Sequence, residues 1–413
     1  MLRQALIALT AIALLAAAPA RAADVVPITL RAAIDRALAA NRDLRQADAL
    51  VTGAEAGIRI AGVRPNANLS IDALKVRPTR GFAGDRPDTV VRLEQTFERG
   101  DKRELRLAQA GSLLEAAQSD RSDTLRQLRS AVAGAYWQLK SAEAAVALAE
   151  SDRQSYARLI ELARLRLSVG DLSGTDLARI EAEAARASTD ADLLQTQRRD
   201  QQVALAVLLA DESRAGVIAT VDEWPQPTEE PPADIDAVVE RRPDVIAARA
   251  RLDAAARQIE LARAQRTRDV TVGVQVERDE TRVNSVGLGI SVPIFTGNDF
   301  SGDIAAAIAS ETSAQIALEQ VRSAALAELD RLRVRLEVTA AAARRYRDEI
   351  VPGTDRATAG VRFAYENGAA TLLDLLDALR SQRATRRAAA DAYAAHATAR
   401  SAWQAALNLD AMP

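Results

Sequence analysis

The stretch from Asp101 to Val169 contains no proline, and Gly111 and Gly134 are its only glycines. Leu139, Ala142, Val146, Ala149, Tyr156, Ile160, Ala163 and Leu167 fall along it at three- and four-residue spacing, with Arg153 breaking one position. That is a heptad-like seam, and alanine in it lets neighbouring helices approach closely. The pattern predicts one helix of about 67 residues, which at 1.5 Å per residue is about 100 Å long. No ordinary globular domain needs such an element, so the rest of the chain must be built to flank it. Residues 30–64 and 175–210 carry helical patterns roughly half as long. Two of these stacked end on end match the long helix.

The same plan occurs twice. AIDRALAANRDLRQADALVTGAEAGI (33–58) parallels DIDAVVERRPDVIAARARLDAAARQI (234–259). Phe97, before ERGDKRE, is answered by Phe295, before TGNDFSG, 198 residues later. At the same 198-residue offset, Gly170 and Asp176 in LSVGDLSGTDLARI are answered by Gly368 and Asp374 in YENGAATLLDLLDA. Self-similarity at a fixed offset marks an internal duplication. The expected division is a first repeat over 23–221 with a hairpin tip near 170–174, a Pro- and Glu-rich linker over 222–234, and a second repeat over 235–413 with its tip near 366–370. The second repeat should hold helices near 235–267, 299–367 and 372–410. Pro352 should kink the longest of them, because its ring removes a backbone hydrogen bond. Its counterpart in the first repeat, Gln154, has no such effect.

Between the shorter helix and the long one each repeat inserts strands. VTVGVQV sets Val270, Val272, Val274 and Val276 against Thr271, Gly273 and Gln275, and SVGLGISVPIF sets Val286, Leu288, Ile290 and Val292 against Gly287, Gly289 and Ser291. ANLSIDALKV (67–76) and TVVRLEQTF (89–97) alternate more loosely. Strict alternation over such a length marks strands with one face in lipid and the other toward a lumen, the competing reading being a soluble hairpin packed on one face. Four strands cannot close a barrel, and lipid does not tolerate an open sheet edge, so copies of the chain would have to share one. The N-terminus favours the membrane reading. Arg3, the apolar run ALIALTAIALLAAA, and small residues at Ala20 and Ala22 make residues 1–22 a secretory signal peptide. Cysteine is absent, which removes disulfides and any lipidated N-terminal cysteine. The expected fold is mainly α with a small β part: a long helical coiled coil, four strands per chain and an internal two-fold duplication.

Composition narrows the function. The net charge is −3 and aromatics are 3 % of residues, with no basic cluster interleaved with aromatics, so nucleic acid is not an expected partner. The single histidine, His396, lies in an Ala-rich helix, where a solvated surface residue is expected rather than a catalyst. No Gly-rich phosphate loop or Ser/His/Asp arrangement stands out, so neither an enzyme nor a cofactor is expected. Without cysteine, and with one histidine and two methionines, a resident metal site is not expected either.

These residues resemble the TolC-like outer-membrane efflux proteins over the whole mature chain. RLSVGDLSGTDL (166–177) is similar to the family's first tip pattern and YENGAATLLDLLDALRSQRATR (365–386) to its second. LEQTFERGDKRELRLAQA (93–110) resembles a segment of the branch that serves cobalt–zinc–cadmium type metal efflux pumps. The resemblance implies a homotrimer with one 12-stranded barrel in outer-membrane lipid and a long periplasmic helical tunnel. That tunnel would dock on a periplasmic adaptor and an inner-membrane pump of the resistance–nodulation–division class, as a passive duct exporting heavy-metal cations. The alternatives are multidrug efflux or type I protein secretion on the same fold, and, more remotely, a periplasmic adaptor.

The resemblance also assigns residues. Arg166, Leu167, Gly170, Ser173, Asn367 and Gly368 belong to the adaptor-docking tips. Asp374 and Asp377 match the acidic rings at the aperture, Asp176 is their partner in the first hairpin, and Tyr365 stands where the family has a latch tyrosine. Carboxylates gathered around one axis should raise some of one another's pKa values and attract cations. The competing reading of Asp374 is a helix-start residue favoured by the macrodipole. Relatives often place a latch arginine two residues after the second turn glycine, where this chain has Ala370.

Overall fold

The computed structural model describes residues 26–74, 88–227, 234–279 and 281–407. The signal peptide over 1–22, the last two positions of the strand segment 67–76, linker residues 228–233, and residues 408–413 of the second repeat lie outside the described residues. The chain is mainly helical with a small β part. Strands β1 (Val26–Ile28), β2 (Asn68–Leu74), β3 (Asp88–Phe97), β4 (Ile218–Thr220), β5 (Val270–Arg278) and β6 (Asn284–Ser291) accompany helices α1 (Leu30–Ala40), α2 (Arg42–Ala61), α3 (Lys102–Ser168), α4 (Gly174–Leu208), α5 (Ile235–Arg241), α6 (Pro243–Ala264), α7 (Ser301–Arg345), α8 (Val351–Glu366) and α9 (Leu372–Ala406).

Helix α3 is unbroken over 67 residues, passing through both glycines. Along its seam Leu139, Ala149, Tyr156 and Ala163 are buried, whereas Leu167, in its last turn, is exposed. The two shorter N-terminal helices differ from expectation. Instead of single helices over 30–64 and 235–267, each is split in two, at Asn41 and at Arg242. These two positions are equivalent in the repeat alignment. At the second break Pro243 lacks an N–H and forces the preceding Arg242 into extended backbone, φ −65° and ψ 137°. The first break has no proline. There Asn41 turns out of the helix and its Nδ2 donates to the Leu208 carbonyl at 3.0 Å.

Near Pro352 the second long helix carries a π-helical turn, Tyr346–Ile350, instead of simple α-helix. The Val351 N–H donates to the Tyr346 carbonyl, five residues back, so the hydrogen-bond ladder slips by one residue just before the proline.

The chain divides into two compact units. One comprises residues up to Asn41, Gln127–Pro231 and Arg331 onward, and the other comprises Arg42–Arg126 and Pro232–Asp330. The second unit holds a four-stranded antiparallel sheet in the order β2-β3-β5-β6. Its register aligns Leu69, Leu93, Val274 and Leu288 on one rung, and Ile71, Val91, Val276 and Val286 on another of the same face. Among the described residues that aliphatic face is uncovered, with Leu288 82 % and Ile290 75 % exposed. The opposite face carries Ser70, Arg92, Gln275 and Gly287 on one rung and Asn68, Glu94, Gly273 and Gly289 on the next. From β3 the chain turns into α3 through Gly100, whose φ is +75° and whose added Cβ would stand 2.8 Å from the Thr267 side chain. Lys102, buried there, donates to the Thr267 carbonyl at 2.9 Å and to Asp269 at 2.8 Å, and Arg106 pairs with Glu98. The segment 93–110 thus builds the corner between sheet and long helix.

In the first unit β1 pairs in parallel with β4, and fully buried Tyr136 on α3 ties them to the start of the linker. Its hydroxyl lies 2.5 Å from Asp222 Oδ2 and 3.1 Å from the Ile28 carbonyl, and it accepts from the N–H groups of Val221 and Asp222 at 3.2 Å. Burial, reinforced by the Asp222 carboxylate, pushes the phenol's pKa up. Trp137 stacks on Trp224 at 5.8 Å and donates from Nε1 to Ser401 at 3.2 Å. His396 is 1 % exposed, which corrects the expectation of a solvated residue. It shares the buried face of α9 with Ala389, Ala399 and Trp403, spaced at three and seven residues from it, so the helix period carries it inward. Replacing Tyr136 with Phe keeps the ring, strands the N–H groups of Val221 and Asp222, and leaves the Asp222 carboxylate only its bond from the Leu30 N–H. We expect a loss of about 1–3 kcal/mol in denaturant unfolding, with faster proteolysis at 221–227; an unchanged midpoint would remove Tyr136 as the anchor.

Candidate functional site at the helical turns

The two tips are one local construction made twice. Gly170 adopts φ +87° and Gly368 φ +75°, left-handed angles that a branched side chain resists. At the first tip the Asp171 N–H donates to the Arg166 carbonyl at 2.9 Å and Gly170 N–H to Leu167 at 3.1 Å; at the second, Ala369 donates to Ala364 at 2.8 Å and Gly368 to Tyr365 at 3.1 Å. This pattern closes the C-terminus of each incoming helix. No atom lies within 4 Å of a Cβ built on either glycine, so the requirement there is conformational and not steric crowding. Asn367, by contrast, is not left-handed; its φ is −94° and its Nδ2 donates to the Phe363 carbonyl at 2.8 Å.

The outgoing helices start with matching caps. Ser173 Oγ accepts from the Asp176 N–H at 3.0 Å and its hydroxyl lies 2.7 Å from Asp176 Oδ2. Thr371 does the same for Asp374, with 3.2 and 2.6 Å, and its own N–H also donates to Asp374 Oδ2 at 2.9 Å, completing a capping box. The repeated acid at the 198-residue offset therefore has a role in each helix start. The Thr371 hydroxyl, then its N–H, hold the Asp374 carboxyl below the usual range. This is opposite in direction to the shift expected from clustered carboxylates, because within one chain the cap is the nearest influence. Asp377 is exposed one turn further along the same face of α9. Asp176 is bound inside its own helix start, to Ser173 and, at 3.3 Å, to Arg179.

Contact between the hairpins runs through other groups. Tyr365 is buried in an apolar cluster with Tyr156, Ala163, Ile180, Leu372, Leu375 and Leu376, contributed by α3, α4, α8 and α9. The Arg166 guanidinium lies over its ring, 5.0 Å from the centroid, so these two residues of different hairpins meet in one cation–π pair. Ala370 packs against the same cluster. Farther from the turns, Glu183 is buried and bonded to Arg380 across the hairpins. Neither had been singled out from the sequence. The available signal was Glu183 itself, a carboxylate in the apolar stripe Ile180, Ala187, Ala191 and Leu194. Among the described residues no group of three or more His, Cys, Asp or Glu is placed to hold a metal ion, and no helix is long and apolar enough to cross a membrane.

A paired uncovered sheet, long seamed helices and twin capped turns define an outer-membrane channel fold, and the comparisons with known proteins agree. The family model described as outer membrane efflux protein matches residues 33–211 and again 235–409, so the chain belongs to the outer membrane efflux protein family. Membership makes it an efflux protein of the outer membrane whose long helices extend into the periplasm. It is 27 % identical over 359 residues to the cobalt-zinc-cadmium resistance protein CzcC of Cupriavidus metallidurans, covering 86 % of this chain and 84 % of that one. It is also 27 % identical over 369 residues to the pyoverdine export outer membrane protein OpmQ of Pseudomonas putida, covering 83 % and 77 %. A crystal structure of CusC shares the fold with a TM-score of 0.80 at 20 % identity, covering 93 % of this chain and 92 % of that one.

The cap chemistry yields a test. Thr371→Ala removes the acceptor for Asp374 N–H and the hydroxyl bound to its carboxylate, which should cost about 0.5–2 kcal/mol of local helix stability. Because the folded-state pKa of Asp374 is depressed, its share is present above the ordinary carboxylate range and is lost as pH falls through the lowered value. Amide exchange at 372–375 should therefore speed up in the variant at neutral pH, and the gap from wild type should narrow in acid to the part carried by the Thr371 oxygen, which does not titrate. Equal exchange at neutral pH would mean the cap contributes nothing.

Proposed function

We propose that the chain is the outer-membrane exit duct of a tripartite efflux system. In this reading three copies share a barrel of twelve strands, each supplying the β2-β3-β5-β6 sheet. The observation that carries it is that sheet: among the described residues its aliphatic face has no cover, and β2 and β6 each have one free edge. Lipid satisfies the face and neighbouring copies satisfy the edges. The duct is passive and catalyses no reaction. An inner-membrane pump of the resistance–nodulation–division class supplies the energy, and a periplasmic adaptor docks at the tips carrying Arg166, Leu167, Gly170, Ser173, Asn367 and Gly368.

Heavy-metal cations are the cargo we favour. The 93–110 segment resembles the metal-efflux branch, and the relative named for cobalt, zinc and cadmium resistance aligns over most of both chains. Asp374 and Asp377 then line the aperture, where three copies would gather up to six carboxylates and raise local cation concentration. Equal identity to a pyoverdine export protein makes an organic chelate the second reading. The periplasmic-adaptor alternative is set aside by the family membership.

Two measurements test this. Leu288 and Gly289 are neighbours on β6 facing opposite sides, and nothing lies within 4 Å of a Cβ at Gly289. Leu288→Arg should cost about 2–4 kcal/mol in the bilayer and cut outer-membrane yield, whereas Gly289→Arg should be tolerated. Equal yields would invert or abolish the lipid-facing assignment.

For the aperture, Asp374→Asn with Asp377→Asn removes charge while the amide oxygen at 374 can still accept from Thr371. In planar bilayers cation selectivity should fall, and block by divalent cations added on the periplasmic side should weaken. Wild-type selectivity in the double variant would leave Asp374 with its capping role alone.

A further inference from the structure

The first unit joins its two helical hairpins, α3–α4 and α8–α9, by a charged layer as well as by the apolar cluster at the turns. Glu183 on α4 is 6 % exposed. It accepts from Arg380 of α9 through Nη2 at 2.6 Å and Nε at 3.2 Å, and from Arg186 of its own helix at 2.7 Å. A fork of two parallel bonds to one carboxylate fixes direction as well as distance. Apolar side chains can slide past one another at small cost, but a lateral shift of either helix breaks both bonds of the fork.

Next to this pair the packing opens. A cavity of about 400 Å³ lies among α3, α4 and α9, floored by Ala145, Ala149 and Ala187 and edged by Asp152, Asp190 and Arg383. Asp152 Oδ2 is buried there without a hydrogen-bond partner, and the Asp190–Arg383 pair is long at 3.7 Å. The layer thus has room to rearrange on one side and a short bidentate bond on the other.

We propose that Glu183 and Arg380 form the clamp that holds the two hairpins of each chain in the closed arrangement of the aperture. They act as positioning residues, serving the part that Ala370 cannot serve and that Asp176, bound within its own cap, does not. The inference rests on the duct reading above. Arg380 holds the Glu183 carboxyl below its usual range. The other titratable groups around the pair are Tyr156 and Asp152 of α3, Arg186 of α4, and Asp377 and Arg383 of α9. The pair is therefore intact at neutral pH and is lost as pH falls through the lowered value.

The test uses the full-length protein, extracted as its native oligomer and inserted in planar bilayers. Wild type should show small conductance steps. Glu183→Gln and Arg380→Gln should each raise them several-fold, and the double variant should match the singles, since both remove one interaction. Arg186→Gln, which removes only the exposed partner on the same helix, should leave conductance as it was. Arg380→Lys keeps the charge but loses the fork; it guards against a folding defect and should fall between wild type and Arg380→Gln. Acidification should open wild type through the range in which Glu183 protonates, while Glu183→Gln should be flat there. A wild-type oligomer that never conducts would refute the duct reading and the clamp with it. A conducting wild type matched by Glu183→Gln and Arg380→Gln, or additive effects of the two, would overturn the clamp alone.

Discussion

A helix of 67 residues takes little of its stability from its ends, so α3 depends on side contact along its length. That contact is an alanine-rich seam: Leu139, Ala145, Ala149, Tyr156 and Ala163 against partners that include Ile180, Ala187, Ala191 and Leu194. Each alanine removes little apolar surface from water, but it allows close approach, and the contact is repeated over many turns. Bulk is concentrated elsewhere. Tyr136, Trp137, Trp224 and Tyr393 form one chain of ring contacts around the start of the linker. Tyr156 and Tyr365 do the same service at the tips. Between these two anchored levels the seam is largely alanine, with Leu148 and Leu194 the bulkier apolar side chains, and there the cavity edged by Asp152, Asp190 and Arg383 appears. The polar layer is thus a consequence of the composition that makes the long helices possible.

What could be read from the sequence was whatever is written locally. The run without proline gave the extent of α3, and glycine and aspartate repeated at one offset gave both turns, because caps are made by residues within a few positions of one another. Alternation gave the four strands of the antiparallel sheet and their faces, since a period of two fixes which side chains travel together, but the three-residue β1 and β4 are too short to show one. The breaks at Asn41 and Arg242 were less legible. Pro243 is an explicit signal, but Asn41 leaves its helix through a bond to Leu208, far away in the chain. Pro352 announced a disturbance, yet not that the ladder would absorb it by a π turn upstream of the proline.

Long-range partners were the hardest to see. His396 reads as an ordinary surface residue until α9 is given its buried face, and Glu183 reads as one of many acids interleaved with arginine. Their burial depends on which stripe of a nearly uniform Ala-rich helix turns inward. A low-contrast pattern does not determine that, because alanine is acceptable on either face. The candidate aperture residues show the same limit from the other side. Local geometry accounts for Asp374 as a cap within one chain, while any role around an axis lies in an assembly that its neighbours in sequence do not encode.

Duplication places its own demand on these contacts. Two identical hairpins packed against each other near equivalent positions would bring residues against their own copies, and a charged residue would then face like charge. Contacts between the hairpins therefore have to diverge even where the turns do not. At the tips, Gly170, Ser173 and Asp176 keep their counterparts in Gly368, Thr371 and Asp374, all at the 198-residue offset. The cross-hairpin pairs do not. Arg166 has Ala364 as its equivalent and Tyr365 has Leu167, so the cation–π pair uses one specialised residue from each repeat. Glu183 has Ser381 and Arg380 has Ala182, so the buried ion pair is likewise carried by residues whose copies are small and uncharged. Local turn chemistry was free to remain symmetric because each tip satisfies itself. The bonds between repeats could form only where that symmetry was given up.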